Sequence, residues 1–497
     1  MVRSTRIASL LALCTVATFV SAPAPATAFT AAEKSAAHQN PRWQRCGTDR
    51  PVALQCTTVK VPLDYGDPGG RTIDIAVSRL RASSAKERRG VLLLNPGGPG
   101  GPGLDLPVDP AVKLPEKVKR QYDLIGFDPR GIGRSSPVGC GLTDAEQDVE
   151  RPYQATDFAK DVQWARTVAE KCRAEAGEVL RHLTTRNTAR DMDVIRAVLG
   201  EEKISYLGFS YGTYLGAVYT QMFPRRADRF VLDSAADPGR YGRGMFRAMA
   251  ERAEPAFTRW TAWTARRHGT YGLGRTPAEV RRTFWDLVAR ADREPIDYGG
   301  TRSTGVAIRA QRAAFSRMQK AAAWVAGLKQ AAEEQGPSGA PERAPGPLPP
   351  ASARDVPSDN AAAGAWAVLC GDTRTSWPRD PEQYRRDAIR DKARYPLSGD
   401  FASNVMPCAF WKPGSEPGTT VNNTVRALIL QNEWDLTTPL AGGRAMHRAL
   451  RGSRMVTVVG GEGHIVNGTN SCADKSAAAY LTTGRLPAGD LNCRAGG

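Results

Sequence analysis

The chain has 497 residues, 41% hydrophobic and 24% charged, so it can bury a large core and is not a wholly disordered protein. Its 49 Gly and 35 Pro cluster without a period, which excludes a collagen-like chain. The net charge of +17 would suit a nucleic-acid partner, but the basic residues are interleaved with acids, and no basic run, zinc-finger spacing or aromatic RNA-binding signature is present. A solvated basic surface is expected, with no nucleic acid as partner.

The first residues read as a targeting segment. Arg3 and Arg6 precede an apolar run from Ile7 to Val20, too short to span a bilayer comfortably, and Ala26-Thr27-Ala28 offers an A-x-A cleavage site. Residues 1–28 are predicted to be a secretory signal, and 29–45 an N-terminal segment in the position of a pro-segment. Leu13 stands before Cys14 where a lipoprotein signal needs a small residue. Secretion into solution or the cell wall is expected, without integral membrane association. Of the nine Cys, Cys14 leaves with the signal. The eight that remain favour disulfides in an exported chain. Eight cysteines allow 105 pairings; short-range closure suggests Cys46–Cys56, Cys140–Cys172, Cys370–Cys408 and Cys472–Cys493. A zinc site is not expected, because there is no C-x-x-C and the five His lie far apart.

From residue 46 an α/β rhythm begins. Cys56 to Pro62 and Thr72 to Leu80 alternate apolar and polar residues, as two strands of an antiparallel edge do. Val91 to Leu94 and Tyr122 to Phe127 are continuous apolar runs, expected of buried parallel strands. Helices are predicted over Asp157–Ala174 and Thr188–Leu199, the second closed by Gly200. Strand Ile204–Gly208, helix Gly212–Phe223 and strand Phe230–Leu232 follow. The alternation predicts a mostly parallel sheet with helices on both faces. The rhythm breaks over 237–365, an Arg/Ala/Trp-rich stretch that reads as an inserted helical lid. Within it, 336–359 is rich in Pro, Gly, Ala and Ser and reads as a mobile loop. The core resumes over 366–497, with strand Ala427–Leu430, helix Leu440–Leu450 and strand Met455–Val459.

The strongest chemical signal is Gly208-Phe209-Ser210-Tyr211-Gly212, set between a predicted strand and a predicted helix. That is the context of a nucleophile elbow: a sharp turn projects the serine hydroxyl above the sheet, and small residues on either side let strand and helix approach. A serine nucleophile needs a base and a group that orients the base, in the chain order Ser, Asp, His for this fold. Asp435 follows strand Ala427–Leu430, and His464 lies in the Gly-rich turn after the next strand. The other histidines precede the core, precede the serine or fall in helices, so His464 is the candidate base. Asp233 and Asp372 compete with Asp435 for the acid.

Acyl transfer also needs backbone N–H groups aimed at the oxyanion. Tyr211 supplies one. The loop Asn95-Pro96-Gly97-Gly98-Pro99-Gly100-Gly101-Pro102-Gly103 supplies the other, from Gly98 or Gly97. That loop also fits G-x-G-x-x-G, but Pro99 and Pro102 remove amides that a pyrophosphate would need, so a nicotinamide cofactor is not expected.

Pro96 to Gly100 resembles the H-G-G-P-G loop of proline iminopeptidases, with Pro96 in place of His. Asp123 to Ser136 is similar to their D-x-R-G-x-G-x-S stretch. Gly208 to Gly212 and Leu430 to Asp435 resemble the elbow and acid loops of secreted actinobacterial tripeptidyl aminopeptidases. The resemblance implies an α/β-hydrolase fold, no metal or organic cofactor, and peptide substrates cut to release tripeptides from free N-termini. The rival readings are a carboxylesterase acting on small acyl esters, and a catalytically silent binding protein. Asp128 and Arg130 are expected to brace loops around the site, in a buried ion pair. An aminopeptidase must hold a substrate ammonium, and Glu433, two residues before Asp435, is the candidate carboxylate for it.

Overall fold

The computed structural model describes residues 39–335, 356–372 and 377–496. The signal segment 1–28, most of the N-terminal segment 29–45, and residues 336–355 of the expected loop lie outside them. The strands are β1 (Gln44–Arg45), β2 (Leu54–Pro62), β3 (Thr72–Leu80), β4 (Gly90–Asn95), β5 (Tyr122–Phe127), β6 (Ile204–Phe209), β7 (Ala227–Asp233), β8 (Ile296–Tyr298), β9 (Thr301–Ser303), β10 (Ala427–Trp434), β11 (Arg454–Glu462) and β12 (Leu491–Arg494). Ten of them form one sheet in the order β1-β2-β3-β5-β4-β6-β7-β10-β11-β12. β2 and β3 are the expected antiparallel edge, β1 extends it by a strand that was not expected, and every pairing from β5 to β12 is parallel.

The central strands are apolar on both faces because both faces are covered. Val91 and Leu93 of β4 point into one cluster, with Met192, Ile195, Leu215 and Val218. Leu92 and Leu94 point into the other, with Val118, Tyr480 and Leu481. The flanking helices include α1 (Phe158–Ala176), α2 (Thr185–Val198) and α3 (Tyr211–Met222). β4 lies between β5 and β6, so the chain reverses its direction of travel across the sheet there. A crevice forms beyond the carboxyl ends of strands at such a switch point.

Between β7 and β10 the chain builds a layer with its own core. Its helices are α4 (Arg243–Ala265), α5 (Pro277–Arg293) and α6 (Met318–Glu334). Phe257, Trp260, Phe284 and Phe315 are fully buried there, with Phe257 4.8 Å from Phe315 and 4.9 Å from Phe284 between ring centroids. The hairpin β8–β9 was not expected. Its turn, Gly299-Gly300, has φ of +58° and +73°, conformations glycine adopts freely. Helices also continue past residue 365. α7 (Asn360–Gly371) straddles that boundary, and α8 (Pro381–Arg394) follows. Ala363, Trp366 and Ala367 of α7 pack into the core of the sheet layer, not that of the insertion. At the end of the segment read as a mobile loop, Asp359 is buried and accepts from the N–H groups of Cys140 and Leu142 at 2.8 and 2.9 Å. α9 (Leu440–Ala449) and α10 (Ser471–Thr483) complete the sheet layer.

The four disulfides are the pairs that short-range closure suggested. Among the described residues no helix is long and apolar enough to cross a membrane.

Candidate functional site

The turn from β6 to α3 is one residue long. Ser210 carries it at φ +56° and ψ −123°, a conformation that non-glycine residues rarely adopt. Packing fixes the turn. The Ser210 N–H donates to the Asp233 carbonyl at 3.0 Å, and the Tyr206 hydroxyl beneath donates to the Gly212 carbonyl at 2.7 Å. The small residues have steric causes. A Cβ on Gly212 would lie 3.0 Å from the Asn95 carbonyl oxygen, and one on Gly97 would lie 3.1 Å from the Tyr211 nitrogen and closer still to the Phe209 carbonyl oxygen. The elbow and the loop after β4 therefore touch through backbone.

Asp435 follows β10 directly, and its carboxylate is fully buried. Oδ1 accepts from the N–H groups of Thr437 and Thr438 at 2.8 and 3.0 Å. Oδ2 accepts from the Thr438 hydroxyl at 2.9 Å and lies 2.8 Å from His464 Nδ1. A carboxylate there keeps the proton of a neutral imidazole on Nδ1, which leaves Nε2 as the acceptor. His464 is 26% exposed, so a reactant can reach it.

Asp233 ties the serine and histidine elements together. Its carbonyl holds Ser210, and its buried carboxylate accepts from the N–H groups of Val466 and Asn467 at 2.9 and 2.8 Å. The next residue, Ser234, accepts from the Ile465 N–H through its hydroxyl at 3.0 Å. Burial pushes the Asp233 carboxyl up to about 6, against the pull of the two amides, Ser234 and His464. Asn432 steadies the same loop, donating to the Gly463 and Ile465 carbonyls at 3.1 and 3.2 Å. Sequence reasoning weighed Asp233 only as a rival acid. It contacts the main chain of the histidine loop rather than the ring. The usable signal was that it ends a strand next to the elbow's own.

The other rival, Asp372, lies beneath Tyr211. It accepts from the Thr185 N–H at 2.8 Å and from the Thr185 hydroxyl, whose oxygen is 2.7 Å from the Tyr211 hydroxyl. Burial pushes Asp372 up to about 7.

Of the two glycine amides expected at the oxyanion, Gly97 N–H is bound to Asn95 Oδ1 at 3.1 Å. None of the described hydrogen bonds uses Gly98 N–H. Tyr211 N–H stands at the first position of α3, where no helical carbonyl reaches it.

The Glu433 carboxylate accepts from the Gly460 N–H at 2.7 Å, and its carbonyl accepts from Arg252 Nη2 at 2.8 Å. Asp128 and Arg130 do not pair with each other. Asp128 accepts from the N–H groups of Gly103, Leu104 and Arg134. Arg130 is paired with Asp191 at 2.6 Å, both being 1% exposed. Among the described residues no group of three or more His, Cys, Asp or Glu is placed to hold a metal ion.

Residues 90–285 match the family described as alpha/beta hydrolase fold, and residues 394–493 the family described as TAP-like protein. The tripeptidyl aminopeptidase of Streptomyces lividans is 35% identical, over 91% of this chain and 86% of its own length. Serine protease Hip1 of Mycobacterium tuberculosis is 28% identical over 91% of this chain and 90% of its own. Carboxylesterase B of the same organism is 29% identical over 91% and 89%. With the parallel sheet, the strained serine turn and a likeness spanning most of both chains, the protein belongs to the TAP-like α/β-hydrolases, the family of the tripeptidyl aminopeptidases.

Proposed function

We propose that this protein is a serine aminopeptidase that releases short peptides, most simply tripeptides, from free N-termini. Ser210 is the nucleophile. His464 Nε2 takes the hydroxyl proton as Oγ attacks the carbonyl carbon. Asp435 holds the imidazole in the required tautomer and stabilises the imidazolium. The N–H groups of Gly98 and Tyr211 hold the oxyanion. As the tetrahedral intermediate collapses, His464 gives its proton to the leaving amine. Water, activated by the same imidazole, then frees Ser210 from the acyl group. No step needs a metal or organic cofactor.

The observation that carries the reading is the Asp435–His464 contact at 2.8 Å on a loop tied through Asp233 to the strained Ser210 turn. In this reading Glu433 braces β10 against β11 through the Gly460 N–H, and its carboxylate, which can accept several hydrogen bonds, stays the candidate partner of the substrate's amine. The four disulfides support export to an oxidising compartment. The test compares a free-amine tripeptide anilide, its N-blocked form and a short acyl ester. Rapid turnover of the free-amine peptide and slow turnover of the blocked one is expected. Turnover of the ester alone would make the protein a carboxylesterase, like one of its relatives.

A further inference from the structure

Where sheet layer and insertion meet, a cavity of about 250 Å³ opens beside the oxyanion loop. Gly98 and Pro99 form one wall. α7 contributes Trp366, and α4 brings Met245, Phe246 and Met249. Phe401 and Met406 also line it. Apolar side chains dominate this lining, three methionines and three aromatic rings among them, and methionine adapts its shape to whatever apolar group enters. Among the described residues, the charged side chains on its wall are Glu150 and Arg312, which neutralise each other through two contacts of 2.7 and 3.1 Å.

The position of this cavity defines its occupant. In the reaction proposed above, the oxygen of the attacked carbonyl rests on Gly98 N–H. Because Gly98 also lines the cavity, the acyl-side substituent of that carbonyl stands within reach of the cavity's mouth. A volume of about 250 Å³ falls below the roughly 300–1,000 Å³ of pockets that enclose whole drug-sized ligands. It therefore takes one large side chain, not three residues. A charged side chain would lose its hydration there and find the one available ion pair already matched.

We infer that this cavity is the side-chain subsite for the residue whose carbonyl is attacked, the last residue of the released fragment, and that it selects a large apolar side chain. The inference rests on the peptidase reading. Filling an apolar site with a Phe or Leu side chain in place of Ala is worth roughly ten- to hundredfold in kcat/KM.

The test uses the full mature chain and free-amine anilides Ala-Ala-X, with X as Phe, Leu, Met, Ala, Glu or Lys. Phe, Leu and Met are expected to exceed Ala by about tenfold or more, with Glu and Lys below Ala. Narrowing the cavity by Met249→Trp is expected to lower the Phe:Ala ratio by about tenfold. Because the ratio compares two substrates on one preparation, partial misfolding cannot mimic that result. Equal turnover for all X, or a preference for Ala, Glu or Lys, overturns the subsite while the peptidase reading stands. Failure to cut any of the six, in a preparation that hydrolyses a short acyl ester, overturns both.

Discussion

The turn at Ser210 is the most readable local feature of the chain, because it leaves a pattern of small residues that sequence displays directly. Ser210→Ala removes only the nucleophile, so turnover is expected to fall on the order of a million-fold with an unchanged circular dichroism spectrum. Near-normal turnover in that variant would end the proposal. Asp435→Asn keeps the shape but offers an N–H₂ where His464 needs an acceptor, so a loss of about ten-thousand-fold is expected. A matching loss from Asp233→Asn, with Asp435→Asn close to wild type, would reassign the acid. The pairing of Asp435 with His464 was legible because chain order and strand ends constrain it. The part played by Asp233 was not. An aspartate at a strand end reads the same whether it meets an imidazole or two backbone amides, and only the fold of the loop 464–467 decides.

Elements were legible where burial dictates pattern. β3 and β5 begin and end at the residues that their sequences suggested, while β10 runs four residues further, to Trp434, and carries the acid loop's lead-in as strand. The insertion was legible as helical, but its contacts were not. Arg252 and Arg259, two turns apart on α4, stack on Trp434 at 4.0 and 4.3 Å from the ring centroid. Arg259 also donates to Glu462, two residues before His464, at 3.1 Å. The insertion thus grips both strands that lead into Asp435 and His464, the proposed acid and base. Trp434→Ala removes two cation–π contacts, each worth about 0.5–2 kcal/mol. A fall in kcat of roughly tenfold is expected, with KM little changed, since the loss falls on the orientation of Asp435 and His464. A rise in KM at constant kcat would place Trp434 in substrate binding instead.

At the scale of the molecule, titration and cross-linking set where the fold is stable. Asp372 holds its proton up to about pH 7, because burial disfavours the charge, whereas in the unfolded chain the same carboxyl ionises near 3.8. Between those values the folded chain binds the extra proton, so stability from this group is present at low pH and lost as pH rises towards 7. Asp372→Asn should therefore gain on wild type with rising pH over that window, by at most about 4 kcal/mol, and run parallel above it. Urea melts at pH 5 and pH 8 measure this; a difference that does not grow with pH refutes it. The cysteine pairs were legible because each joins near neighbours in sequence. Asp372 was not, because nothing in its own neighbourhood announces a buried site beneath Tyr211.

The bond between Cys370 and Cys408 joins the end of α7 to the stretch just beyond Met406. Leu369 and Met406, one from each segment, both line the apolar cavity. A covalent tie between two lining segments fixes their spacing, and on the subsite inferred above that spacing sets the room that separates Phe from Ala. Discernment and turnover then have different dependences on oxidation, since Ser210, Asp435 and His464 are held by hydrogen bonds elsewhere. Replacing both cysteines by serine should cost about 2–4 kcal/mol of stability and, well below the melting temperature, flatten the Phe:Ala ratio more than it slows the Ala substrate. A variant that keeps the full ratio would show that packing alone sets the width. By this logic a chain that folds with its thiols still free would tell Phe from Ala less sharply than the same chain once they are joined.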